Sequence, residues 1–480
     1  MMINTKKQNT FYIHDYETFG KNPSTDRPAQ FAGVRTDMDF NIIDDPLVMY
    51  CSPSNDYLPD PEAVIITGIT PQIAKNKGLD EVNFAYNIHK AFNIPNTCIV
   101  GYNNINFDDE FSRNIFYRNF LDPYSYSWKN GNSRWDLIHV IRAYYSLYPK
   151  GIIWPKNKHG YISFRLEHIT QANNIPHTQA HDAISDVYAT IAIAKKIKLA
   201  QPKLFNFLLK YRKKNQLNTL INITKITPLV YISNILGAIR NNTTWIVPIA
   251  WHPQKKNIII ICDLSCDLTL LLTLKIEQLQ KKIFNDTNNI NIKNLFTLPL
   301  KLIHMNKCPI LIPAKILSPQ NAERLGINRK NCLKNLELLH KNQHIRKKII
   351  KLFSKNEIYK NYINTDVDSR LYEKFFNNFD KIIIKQIQKT KPENLSKLNL
   401  KYYDNRIPEL LFRFRARNYP NTLNDYEKKH WLEYRKKKLN TEFIKKYFIK
   451  IEKLYQLYKN DKEKIKILKE LLNYSYKIIN

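Results

Sequence analysis

Apolar positions in the first two hundred residues switch repeatedly between two periods. Alternation with a step of two marks strands at 10–17, 32–39, 47–51 and 97–102. Around them, apolar residues recur at three- and four-residue steps, which predicts helices over 83–92, 109–119 and 183–197. A further helix is expected over 204–217, with the basic cluster Arg212, Lys213, Lys214 near its end. Interleaved strands and helices of this kind build an α/β domain. From about 225 to 312 the texture becomes β-rich, with strands at 229–232, 244–249, 257–263 and 301–303 and helical periodicity only at 276–284. All ten glycines lie at or before Gly326. The glycine-free remainder reads as helices over 331–341, 344–353, 369–388, 406–415, 424–437, 441–458 and 460–478. We therefore divide the chain at 1–201, 202–354 and 355–480.

Composition narrows the partners. The 480 residues are 43% hydrophobic, which suits packed cores. Lys and Arg number 75 against 42 Asp and Glu, a formal charge of +33. Lys, Asn and Ile are abundant throughout, so part of the excess is compositional; the rest calls for a polyanion. No membrane span is expected, because the most apolar stretch, 258–274, is broken by Asp263 and Asp267 and a span needs about 20 apolar residues. Lys6 and Lys7 are followed by no apolar run that would make a signal peptide, so a cytoplasmic location is expected. Six cysteines in a chain this long make no disulfide framework. Cys262, Cys266, His304 and Cys308 can be drawn as a zinc site. Lone, half-buried thiols are the simpler reading.

Five residues carry the chemistry. Asp15 and Glu17, two apart on a strand, project from one face, and acids that close repel unless a cation neutralises them. Asp108 stands at the mouth of a helix, where an acid also serves as a cap. Asp182 is a natural N-cap for the helix that follows; His181 precedes it and Asp186 lies one turn inside. Each piece alone has a plain structural explanation. Together and in this order they form a donor set for two hard cations, which prefer oxygen ligands. Two such ions can activate a water and stabilise a leaving oxyanion. Asp15 is expected to bridge them, with Glu17 and Asp186 on one and Asp108 chiefly on the other. His181 is expected to take the proton from the attacking water.

Asp-x-Glu-Thr at 15–18, Asn-x-x-x-Asp ending at Asp108 and His-x4-Asp at 181–186 resemble the three motifs of the DEDD exonucleases, in their His-containing branch. That resemblance implies a ribonuclease-H-like fold with a mixed sheet and hydrolysis from the 3′ end, releasing nucleoside 5′-monophosphates. Ser-Phe-Arg-Leu-Glu (163–167), Ala-Trp-His-Pro (250–253), Asn-Lys-Cys-Pro (306–309), Arg-Leu-Gly-Ile-Asn-Arg (324–329) and Phe-Arg-Ala-Arg-Asn-Tyr-Pro (414–420) resemble the exodeoxyribonuclease I family over nearly the whole length. The family implies an exonuclease domain, a small barrel like a Src-homology-3 domain and an all-α C-terminal domain. It implies Mg²⁺, two ions per site with Mn²⁺ as a substitute, and processive digestion of single-stranded DNA in repair and recombination. A monomer is expected.

A sequence-indifferent enzyme should grip phosphates and stack bases. Arg113, Tyr124, Trp128, Arg142, Phe164 and Arg165 offer that mixture, and the resemblance places them along the strand's path. Glu17 is expected to face substrate as well, and Arg165 to clasp a terminal phosphate. Lys213, Lys214, Arg413, Arg415 and Arg417 are expected to continue the basic track. The resemblance further implies docking of the acidic C-terminal tail of single-stranded-DNA-binding protein, with Arg324, Leu339 and Arg346 matching its basic and apolar positions. Thr227 stands where the family carries lysine. The rivals are an RNA 3′-end-trimming enzyme of the same branch and a non-catalytic scaffold that binds single strands.

Overall fold

The computed structural model describes residues 9–177, 182–283, 298–354, 362 and 365–479. They form two compact units. One gathers the chain up to Ser133, the segment 178–188 and everything from 361 onward; the other gathers 134–177 and 189–360.

The first unit is built on strands β1 (Thr10–Thr18), β2 (Pro28–Thr36), β3 (Leu47–Tyr50) and β4 (Thr97–Gly101). β1 pairs antiparallel with β2 and parallel with β4, and β3 runs antiparallel to β2, so the sheet is mixed. Because β1 is central, both its faces are covered. Tyr12 and Tyr16 point into an aromatic cluster with Phe31, Phe84, Phe92, Phe116 and Tyr126. The alternate residues Asp15 and Glu17 face the other way. β2 starts four residues earlier than the alternation suggested. It stops at Thr36 because Asp37 Oδ1 accepts from the N–H groups of Asp39 and Asn41, which turns the chain.

Helices Pro61–Thr67 and Pro71–Lys77 were missed in the sequence, although both carry a plain start signal. Asp60 and Thr70 cap them, and each has proline at its first position. Helices Glu81–Phe92 and Asp108–Arg118 complete this part. The C-terminal chain adds helices Asn378–Lys389, Arg406–Asn418, Asp425–Lys438, Thr441–Leu457 and Lys462–Ile479. They pack through two apolar clusters: Ile383, Ile387 and Leu410 meet Tyr117 and Phe120, while Ile451, Leu454 and Leu471 meet Val64 and Ala74.

Two expectations for this region change. The helix expected from 369 begins only at Asn378, because the Arg406 guanidinium occupies the carbonyls of Arg370 (2.6 Å) and Lys374 (2.8 Å). Arg413 and Arg415 are buried and the Arg417 side chain is only 4% exposed; all three are paired, so they do not form an open basic track. Arg413 binds Glu409 at 2.6 Å and Arg415 binds Glu427. Arg417 binds Asp56 at 3.0 Å and also Asp368. Lys438 reaches the same Asp56 at 2.8 Å, while Arg118 and Arg27 share Glu81 at 3.0 and 3.5 Å. A positive guanidinium this deep requires such partners.

The second unit is entered through β5 (Ser133–Asp136) and helix Leu137–Leu147. Its sheet holds β6 (Leu229–Ile232), β7 (Thr243–Trp251), β8 (Ile258–Asp263), β9 (Leu300–His304) and β10 (Ile310–Pro313) in the order β10-β6-β7-β8-β9, antiparallel throughout. The four-residue β10 was not expected. The helix expected over 204–217 is two, Pro202–Tyr211 and Lys214–Asn218, separated where Lys213 adopts an extended backbone. Helices Arg329–Lys341 and His344–Leu352 follow. All six cysteines are free, and Cys262, Cys308 and Cys332 are buried. Among the described residues, no helix is long and apolar enough to cross a membrane.

Candidate active site

The site assembles on the polar face of β1. After β4 the chain folds back tightly: a Cβ at Gly101 would meet Asn104 Cβ at 2.6 Å and His14 O at 3.0 Å, so only glycine allows the approach. Asn103 takes a left-handed backbone (φ 69°), which asparagine tolerates, and a short 3₁₀ turn leads to Asp108. Tyr16 then ties strand to helix twice. Its N–H donates to Asp108 Oδ1 at 3.2 Å, and its hydroxyl lies 2.9 Å from Ser112 Oγ. Asp186 enters from the first turn of helix Ala183–Ala200.

One ligand oxygen from each of Asp15, Glu17 and Asp186 falls within 4.8 Å of the others. Asp108 is outside that tight trio but close enough to act on it. Burial pushes the Asp15 carboxyl well above the usual range, and Asp108, Asp186 and Glu17 push it further. Glu17 is pushed up to about 9, first by burial and then by Asp186, Asp108 and Asp182. Acids this close together cannot all ionise by themselves. Carboxylate oxygens with neither sulfur nor nitrogen among them are a donor set for Mg²⁺ or Mn²⁺, so the residues fit the ions that the motifs imply. His181 lies outside the described residues. His14, beside Asp15, faces the opposite side; its Nδ1 is 3.0 Å from Val100 O, and burial lowers its pKa to about 4.

The expected substrate residues separate by environment. In the first unit, Trp128 is 67% exposed. Tyr124 is half-buried between the Arg113 guanidinium (5.7 Å) and the exposed Phe375 ring (5.3 Å). Arg113 is engaged internally, with Glu110 at 2.9 Å and the Tyr372 hydroxyl at 3.2 Å. In the second unit, Arg165 extends its side chain, 73% exposed, beside Glu167. Phe164 is buried against Tyr145 and Trp154 and under the Arg142 guanidinium. Lys213 is exposed, and Lys214 binds Asn257.

Of the expected partner residues, Arg324 lies over the Tyr145 ring at 4.6 Å and donates to Tyr145 O at 2.6 Å. Arg346 is half-buried and Thr227 exposed. Leu339 is buried, so its apolar surface is used inside the protein.

Gln30 was missed. It lies opposite Glu17 in the β1–β2 ladder, is buried, and reaches the start of the helix that carries Asp186. Its partners are more than 150 residues away in sequence, so no local pattern announces it.

Three family models match the chain. One described as an exonuclease covers residues 12–194, one as the exonuclease I SH3-like domain covers 212–355, and one as the exonuclease I C-terminal domain covers 365–478. Exodeoxyribonuclease I of Escherichia coli strain K12 is 49% identical over 479 residues, with all of both chains covered. The crystal structure of E. coli exonuclease I in complex with a dA16 oligonucleotide superposes with a TM-score of 0.93 at 49% identity, covering 98% of this chain and all of the other. A structure of SSB/exonuclease I in complex with the inhibitor CFAM gives a TM-score of 0.90 at 48% identity, with the same coverage.

Proposed function

The chain belongs to the exodeoxyribonuclease I family, and from that premise we propose that it shortens single-stranded DNA from the 3′ end by metal-dependent hydrolysis, releasing nucleoside 5′-monophosphates. The observation that carries the reading is the convergence of Asp15, Glu17 and Asp186 beside Asp108 on one face of the central strand. Asp15, Glu17 and Asp186 would hold divalent ions, Mg²⁺ by preference, and Asp108 would complete the set. Bound ions supply the positive charge that the crowded phosphate and the leaving 3′-oxygen need.

The remaining work falls to side chains. His181 accepts the proton of the attacking water. Trp128 and Tyr124 stack bases, which every base permits and which explains indifference to sequence. Arg165, long and exposed, holds a backbone phosphate. Digestion is processive, in a cytoplasmic, monomeric enzyme of repair and recombination. Arg324 and Arg346, on ground supported by Leu339, receive the acidic tail of single-stranded-DNA-binding protein.

The test uses 5′-labelled DNA and RNA oligonucleotides of one sequence, with Mg²⁺ or EDTA, and wild type against Asp186→Ala. A DNA ladder that shortens from the 3′ end, and vanishes in EDTA and in the variant, is the expected result. Preferred trimming of RNA would reassign the substrate. Tight binding without shortening would leave a scaffold.

A further inference from the structure

We infer that Gln30 is a positioning residue for this reaction: its side-chain amide fixes the start of the helix bearing Asp186 at the distance from Glu17 that the ion site needs. The inference rests on the metal-dependent reading above.

Gln30 sits on β2 directly across from Glu17 and is 2% exposed. Its Nε2 donates to Asp182 Oδ1 at 3.0 Å, and its Oε1 accepts from the Ala183 N–H at 3.2 Å. The Ala183 N–H belongs to the first turn, which has no partner inside its own helix. One residue earlier in the chain, the Asp182 carbonyl accepts from the Asp186 N–H at 3.0 Å. A short circuit results: Glu17 is paired with Gln30, Gln30 holds Asp182 and Ala183, and Asp182 holds Asp186.

The chemistry selects the residue. A carboxylate neighbour and an amide N–H must be satisfied by one buried side chain, and the glutamine amide presents a donor and an acceptor on two separate atoms that reach both. Glutamate would accept from Ala183 but set a second negative charge against Asp182. Alanine would leave both groups without their partner, and an unmet buried polar group is costly.

The measurement is calorimetric titration of Mn²⁺ into the DNA-free full chain, for wild type, Gln30→Ala, Gln30→Glu and Asp186→Ala, alongside melting temperatures and kcat and KM on a single-stranded oligonucleotide. Loss of an outer partner typically costs about 10- to 100-fold in ion affinity, and that loss is expected for both Gln30 variants. KM for DNA should stay within about twofold while kcat falls, and raised Mn²⁺ should restore turnover to Gln30→Ala. A protein whose melting temperature drops but whose Mn²⁺ affinity is unchanged would overturn the inference and make Gln30 a structural residue only. Gln30→Glu, equal in size, decides the matter if the alanine variant does not fold. If wild type binds no Mn²⁺, or binds it as well with Asp186→Ala, the underlying functional reading fails and this inference with it. If wild type and Asp186→Ala differ but the Gln30 variants match wild type, only this inference falls.

Discussion

The backbone N–H of Tyr16 donates to Asp108 Oδ1 at 3.2 Å, so the strand that supplies Asp15 and Glu17 also aims the acid that opens the next helix. Because a main-chain group does the aiming, no substitution at position 16 other than proline removes it. The ion site is thus sensitive at its ligands and robust at this support.

Asp186→Asn should cut exonuclease turnover by more than about 100-fold, beyond the usual loss for an outer partner. Binding of a single-stranded oligonucleotide should persist, since the stacking residues are untouched. A single-turnover assay with a parallel fluorescence-anisotropy titration reads both quantities.

Without divalent ions, the protein should lose stability as pH rises. Glu17 titrates near 9 in the folded chain against an ordinary 4.5. Between those values the folded state holds more protons than the unfolded one, so its advantage shrinks with increasing pH. Melting curves in EDTA from pH 5 to pH 9 should show the decline, and Mn²⁺ should cancel most of it. A flat profile would mean that the acids are not charged against one another.

A separate weakness lies on the acid side. Burial alone would raise the Glu81 pKa, but Arg118 and then Arg27 outweigh it and bring it to about 2. Its stabilising contribution is complete above about 4.5 and is lost as pH falls towards 2. Glu81→Gln, which strands two buried guanidinium groups, should cost about 3–5 kcal/mol in urea unfolding at neutral pH.

Trp128 and Phe164 should part company under mutation. Trp128→Ala, at an exposed ring, should weaken single-strand binding by about 1–3 kcal/mol and leave the melting temperature unchanged. Phe164→Ala, at a packed ring, should cost about 3–5 kcal/mol of folding stability. Anisotropy and thermal melts on the same two variants separate the roles.

What sequence could reveal follows from the distance between partners. Asp15 and Glu17 lie within one strand, so their shared face could be read directly from alternation. Helix Asp108–Arg118 was placed to within a residue because its apolar spacing is internal. Arg415 and Arg417 misled, since their acids, Glu427, Asp56 and Asp368, lie outside that helix, and with Arg413, paired one turn back with Glu409, they look like a string of open charge. The helix expected from 369 misled because a distant residue intervenes: Arg406 claimed the carbonyls of Arg370 and Lys374 that a helix would have used. Gln30 left no trace at all. Its identity matters only after β2 and the helix from Ala183 have been brought together.

The ion pair of Asp56 with Arg417 spans 361 residues of chain. At about 5–20 residues per second, a ribosome delivers the arginine roughly 20–70 s after the aspartate. Through that interval Asp56 lacks both Arg417 and Lys438. Asp15, Glu17, Asp108 and Asp186 are all made before the positive charges that balance Asp56.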